Sequence, residues 1–132
     1  MNLNELNRKS ALALGIGGPF LHVGRVLLWG RQWPAPLAWP IAIDAFVGGG
    51  FLVAGALSAR RSLSGKLLLA AAWGFGAGVL YRSFFEQVAD PARHEGHEWV
   101  VMAVKALVLA VTVAGIAVSV RAARDPEERG HV

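Results

Sequence analysis

Four apolar stretches, each about one bilayer long, alternate with short polar links along the 132 residues. They cover residues 10–29, 36–58, 66–88 and 98–120. Each is close to the roughly 20 residues that a helix needs to cross a hydrocarbon core. No alternation of period two is visible, so the stretches read as helices rather than strands. The links, residues 30–35, 59–65 and 89–97, are short enough to make successive helices antiparallel neighbours. The pattern predicts an all-α chain, a polytopic membrane protein of one domain with four transmembrane helices in an up-down-up-down bundle. Residues 1–29 have the general layout of a secretory signal. However, the apolar part is long, His22 and Arg25 interrupt it, and no small-x-small cleavage site follows. A retained first span is expected.

Composition supports a lipid environment. Apolar residues make up 55% of the chain and charged residues 17%, with a mean hydropathy of +0.45. Soluble domains carry about a quarter charged residues, and so short a chain has little interior in which to hide its apolar side chains. The formal net charge of +4 suggests nucleic acid until its placement is considered. Arg8 and Lys9 precede the first span, Arg60, Arg61 and Lys66 lie between the second and third, and Arg121, Arg124 and Arg129 follow the fourth. The other side has only Arg31 and Arg93, beside Asp90, Glu95 and Glu98. This asymmetry predicts cytoplasmic N- and C-termini, in a membrane of the bacterial cytoplasmic type. The bilayer is then the partner of these charges, and nucleic acid is not.

Trp29, Trp33, Trp39 and Trp99 fall at the opposite ends of the spans, where an aromatic belt anchors a membrane protein. Trp73, nearer the cytoplasmic side, reads as an anchor too. The chain has no cysteine, which excludes disulfides, thiol catalysis and cysteine-ligated zinc or iron–sulfur centres. Glycine recurs within the spans, at Gly15, Gly17, Gly18, Gly24, Gly48, Gly49, Gly50, Gly55, Gly74, Gly76 and Gly78. Gly74 and Gly78 form a G-x-x-x-G pair, a pattern that lets helix backbones approach closely within a bundle or between subunits. The run Gly48–Gly50 is expected to loosen the second span, since each glycine costs a helix about 1 kcal/mol relative to alanine.

Ionisable residues inside the spans collect toward one side. His22 and Arg25 lie in the first span, Asp44 in the second, Arg82 and Glu86 in the third, and Lys105 in the fourth. From the helical rise, most of them sit roughly 6–12 Å below the non-cytoplasmic surface. Charge in hydrocarbon is costly and is kept where it is paired, hydrated or used. Arg82 and Glu86 are one turn apart and can pair within their helix. Asp44 shares a stripe with Val47, Gly48, Phe51 and Gly55, and Lys105 shares one with Glu98, Met102 and Thr112. Three positive charges face two negative ones, so an anion completes the set unless Lys105 is neutral. Arginine would grip such an anion bidentately. Arg25, Asp44, Arg82, Glu86 and Lys105 form the expected wall of a ligand pocket, with His22 and Tyr81 as secondary members. The competing reading is that these pairs only fix bundle geometry.

His94 and His97, with Glu95 and Glu98 between and beside them, are residue types that suit zinc. Their spacing departs from H-E-x-x-H and Gly96 disfavours a rigid helix, so a solvated loop is expected rather than a metal site. His22 alone cannot supply both axial ligands of a haem, and no cofactor is expected. No serine–histidine–acid trio, phosphate loop or catalytic carboxylate pair is present.

Three functions remain. The first is binding of an amphiphilic or anionic small molecule, for transport, sensing or presentation, by a homo-oligomer. The second is service as a non-catalytic subunit of a larger membrane complex. The third is a small intramembrane isomerase or cyclase acting on a lipid-like substrate, with Asp44 or Glu86 as base and Lys105 or Arg82 stabilising developing charge. Small multidrug-resistance exporters and fluoride channels share the size and the four spans. The first carry a glutamate in span one, where this chain has His22 and Arg25. The second carry an asparagine-containing helix, whereas no asparagine follows Asn7 here. Neither family is carried over.

Overall fold

The structure, a computed structural model, describes residues 2–29, 35–89 and 98–124. It contains four helices: α1 (Leu3–Trp29), α2 (Ala35–Ser58), α3 (Leu63–Ala89) and α4 (Glu98–Arg124). α1 begins well before its apolar stretch because Asn2 caps it, Oδ1 accepting the Glu5 N–H at 2.8 Å. Glu5 then pairs with Lys9 one turn on, at 2.8 Å. Ser62 starts α3 in the same way, its Oγ accepting the Gly65 N–H at 3.0 Å. α2 runs unbroken through Gly48–Gly50, contrary to the loosening expected there. Contacts on both sides override the weak propensity: Gly49 lies against α1 and Gly48 against Phe75 of α3.

Successive helices are antiparallel. Arg8 and Gly15 of α1 meet Ala56 and Gly49 of α2. Gly55 and Gly48 of α2 meet Leu69 and Phe75 of α3. Lys66, Trp73 and Gly76 of α3 meet Ala122, Gly115 and Thr112 of α4. α1 reaches α4 along a shorter seam, where Asn7 Nδ2 donates to Ser119 Oγ at 2.8 Å and to the Gly115 carbonyl at 3.4 Å.

A glycine stands at each main crossing. A Cβ on Gly15 would lie 2.8 Å from the Gly49 carbonyl oxygen, and one on Gly49 would run into the Gly15 carbonyl. Pro19 contributes here: lacking an N–H, it leaves that carbonyl without its usual helical donor, and its ring closes over Gly49. A Cβ on Gly55 would come within 2.8 Å of the Leu69 Cα, and one on Gly115 within 2.5 Å of the Trp73 ring. By contrast, Gly74 and Gly78 face open space among the described residues, so their G-x-x-x-G pair is not a seam between the described helices.

The core sits at one end. Ala11, Leu52, Ala56, Ala59, Leu69, Ala72 and Trp73 form its buried cluster. Buried Asn7, Thr112 and Ser119 add a polar seam beside it. Trp73 is 0% exposed and covered by Gly115, so it is a core residue and not an interface anchor. Its Nε1–H has no acceptor among the described residues, so packing keeps it there. At the other end the helices are open. Among the described residues, α3 has no buried position beyond Trp73 and α4 none before Thr112. We call these the closed and open ends.

The outside is apolar. α3 and α4 are long and apolar enough to cross a membrane, through Leu63–Arg82 and Trp99–Arg124, and α2 holds a shorter apolar run, Ala42–Ser58. Only 22% and 11% of the α3 and α4 windows are buried, unlike core helices of a soluble protein. Leu27, Phe20 and Leu107 are among the large side chains left exposed.

The α1–α2 crossing gives a direct test. Gly49→Ala should destabilise the chain by about 1–3 kcal/mol through overpacking. Gly50→Ala, which enters open space, should be neutral or gain up to about 1 kcal/mol of helix propensity. Thermal unfolding of both variants in one detergent compares them, and equal melting temperatures would contradict the close crossing.

Candidate functional site

The candidate residues lie toward the open end, and the helix register determines how they are grouped. α2 presents Gly55, Phe51 and Gly48 to α3, with the Phe51 and Phe75 rings 6.1 Å apart. Asp44 is the next residue on that stripe, one turn beyond Gly48. α3 answers with Leu69 and Phe75, and Arg82 lies two turns beyond Phe75 on the same side. Continuing the antiparallel register from Gly48 opposite Phe75 sets Asp44 level with Val79, within a turn of Arg82.

The neighbouring interfaces extend the same level. On α1, Ala11, Gly15 and Pro19 form the buried stripe toward α2, and His22 continues it. Two turns beyond the Gly15–Gly49 crossing, His22 comes level with Ala42, close in height to Asp44. On α4, Lys105 lies two turns beyond Thr112 on the stripe that meets α3 at Gly76, which sets it level with Ser83, beside Arg82. One level thus draws an ionisable residue from each helix.

Asp44 and Arg82 are exposed, while His22 and Lys105 are half-buried. The level is therefore reachable rather than sealed. Tyr81 is 57% exposed and stacks on Phe85, ring centroids 4.5 Å apart. It belongs to the stripe of Gly74 and Gly78, which separates it from the α2-facing residues. The side chains of Arg25 and Glu86, and the loop residues His94 and His97, lie outside the described residues. Among the described residues no group of three or more metal-binding side chains occurs.

Two features were not anticipated from sequence. One is the Asn7–Ser119 bond at the closed end. A single asparagine before a basic pair resembles any helix-start residue, and only the α1–α4 contact gives it a role. The other is an apolar groove of about 470 Å³ between α1 and α2, lined in part by Ile16, Pro19, Phe20, Phe46, Gly50 and Leu57. It lies on the side of α2 away from the Asp44 stripe, so it is not part of the charged level.

No protein-family model, curated protein or solved structure matches the chain.

The register is testable because the chain is free of cysteine. Asp44→Cys combined with Val79→Cys should be joined within one chain by a short thiol cross-linker, as seen by a mobility shift or by peptide mass. Ile43→Cys, turned about 100° around the helix and 58% exposed, should join Val79→Cys far less well. Equal yields for the two pairs would refute the shared level.

Proposed function

We propose that the chain is a four-span integral membrane protein that binds an anionic amphiphile at this charged level, through its open end. The observation that carries the reading is the contrast along the helices. Ionisable residues of all four helices come level where α3 and α4 lack buried positions, while the closed end is locked by Trp73 and Asn7.

The chemistry follows from charge. Asp44 is one carboxylate among Arg82 and Lys105, and the set becomes three cations to two carboxylates with Arg25 and Glu86. An anionic headgroup balances that excess. Arg82 supplies a planar fork for a carboxylate, sulfate or phosphate, Lys105 a compact second charge, and Asp44 orients the guanidinium. Arg8, Lys9, Arg60, Arg61, Lys66, Arg121 and Arg124 crowd the closed end, and this charge bias supports a cytoplasmic side for it and for both termini. The site then opens outward and stops at the core. Binding for sensing, presentation or one step of transport fits this shape better than a continuous pore.

A second reading, a subunit of a homo-oligomer or larger complex, is favoured by the open face of Gly74 and Gly78 flanked by exposed Tyr81 and Phe85. The two readings are compatible.

Arg82→Ala and Lys105→Ala should each weaken binding of a fluorescent long-chain carboxylate about 10- to 100-fold, the loss expected of a charge-assisted hydrogen bond. Binding of the matching long-chain alcohol should be unchanged. Circular dichroism and size-exclusion chromatography in mild detergent must show both variants folded. Unfolding of both would assign the layer to bundle geometry, and unchanged binding in folded variants would remove the site.

A further inference from the structure

The closed end shows a second charged feature, which the outward site does not use. Seven cations gather there: Arg8 and Lys9 on α1, Arg60 and Arg61 in the turn after α2, Lys66 on α3, and Arg121 and Arg124 on α4. Glu5 is the single carboxylate among the described residues at this end, and it pairs with Lys9. Two of the cations are built into the fold. Arg8 donates its Nε–H to the Ala56 carbonyl at 2.9 Å, and Lys66 Nζ donates to the Ala122 carbonyl at 3.4 Å. Both acceptors lie in the last turns of helices whose C-termini end here, where the helix dipole favours a cation. Long side chains that would otherwise sweep through water are thereby held at the rim of the bundle.

Arg8 also stands close enough to Arg60 for the two charges to repel. Burial first, and then Arg60, lower the proton affinity of Arg8, while Glu5 opposes them. The Nε bond leaves the terminal nitrogens of Arg8 as the part of the fork able to take an oxyanion. A phosphate set between two guanidiniums relieves their repulsion and meets each of them in bidentate geometry.

We propose that the closed end is a docking surface for the headgroups of anionic phospholipids in the adjacent leaflet, with Arg8 and Arg60 gripping the phosphate and Arg61, Lys66, Arg121 and Arg124 extending the field around them. The inference rests on the membrane-spanning reading, which puts these side chains at headgroup depth. Clusters of four to eight cations beside a span attract anionic lipid by this mechanism. Charge complementarity also decides against the other nearby occupant, the chain's own last eight residues. They carry Asp125, Glu127 and Glu128 against Arg129, too little negative charge to neutralise seven cations.

The test uses the full chain in mild detergent, with phosphatidylglycerol and phosphatidylcholine of the same acyl chains as probes and native mass spectrometry as readout. The intact protein should retain phosphatidylglycerol preferentially, and the preference should fall as salt is raised. Arg8→Gln with Arg60→Gln should weaken it about fivefold per charge removed, with helicity kept. Arg93→Gln, at the other end of the chain's charge pattern, should leave it intact.

Equal retention of the two lipids by the intact protein, or an unchanged preference in the double variant, overturns the proposal. Displacement of the lipid by millimolar inorganic phosphate would make this a free-anion site and overturn the lipid assignment. A preference that emerges only when residues 125–132 are removed would make the tail the occupant, with the same consequence. Flotation separates this inference from the reading beneath it. A chain that stays out of phosphatidylcholine vesicles overturns both, whereas one that floats without preferring phosphatidylglycerol overturns only the lipid site.

Discussion

Close backbone contact at glycine is the constraint on which the rest of the structure depends. On the proposed membrane-spanning reading, helices gain little by hiding apolar side chains from one another, because lipid surroundings are equally apolar. What remains is dispersion, which falls away within an ångström of optimal distance, together with short-range polar contact. Gly15 against Gly49, Gly55 against Leu69 and Gly115 against Trp73 set the three main crossings and with them the register of every helix. Pro19 sharpens the first of these by turning a backbone carbonyl toward its partner. Once these crossings are fixed, no residue farther along a helix chooses its height freely.

The two ends then divide the work. At the closed end small side chains allow Trp73 and Leu69 to fill the centre, and Asn7 and Ser119 tie the first helix to the last. A hydrogen bond between buried neutral groups contributes about 1 kcal/mol net, but leaving one partner unmatched costs about 1–3 kcal/mol. Such a bond therefore specifies which helices meet more than it adds to stability. At the open end the stripes continue to His22, Asp44, Arg82 and Lys105, and among the described residues nothing is buried beyond Trp73 on α3 or before Thr112 on α4.

Much of this was legible in the sequence, and the exceptions have physical causes. Helix count and type followed from apolar run length, because backbone hydrogen bonding in an apolar medium leaves few alternatives. Small-residue packing was expected in one half of the bundle, and the buried cluster does lie at one end, among small side chains such as Ala11, Ala56, Ala59 and Ala72. The placing of Trp73 was not expected. A tryptophan near a helix end reads as an anchor until Gly115, forty-two residues later, is known to make room for its ring. Gly48–Gly50 was expected to loosen α2 because propensity is a local quantity, while the contacts that hold the run come from α1 and α3. The ordering among glycines was hidden for the same reason. Gly74 and Gly78 carry the most familiar spacing yet face open space among the described residues, whereas Gly15 and Gly49 have no motif and form a close crossing. Within the candidate site, Asp44, Arg82 and Lys105 were readable as sharing a depth. The separation of Tyr81 onto another stripe required the register.

The cost of the charged level bears on its purpose. A single ionised side chain in the middle of a span costs about 2.5–3.5 kcal/mol on insertion scales. On the membrane-spanning reading, Asp44, Arg82 and Lys105 lie off the centre and cost less than this each, yet together they would offset part of the about 5–15 kcal/mol by which a domain is stable. The exposure of Asp44 and Arg82 and the partial exposure of Lys105 reduce the cost on that reading, since side chains near an opening can be hydrated. If the aim were only to hold helices together, apolar residues of similar volume would serve as well or better. On the proposed reading, a headgroup anion at this level meets residues of several helices at once, so binding and tightening of the open end are a single event.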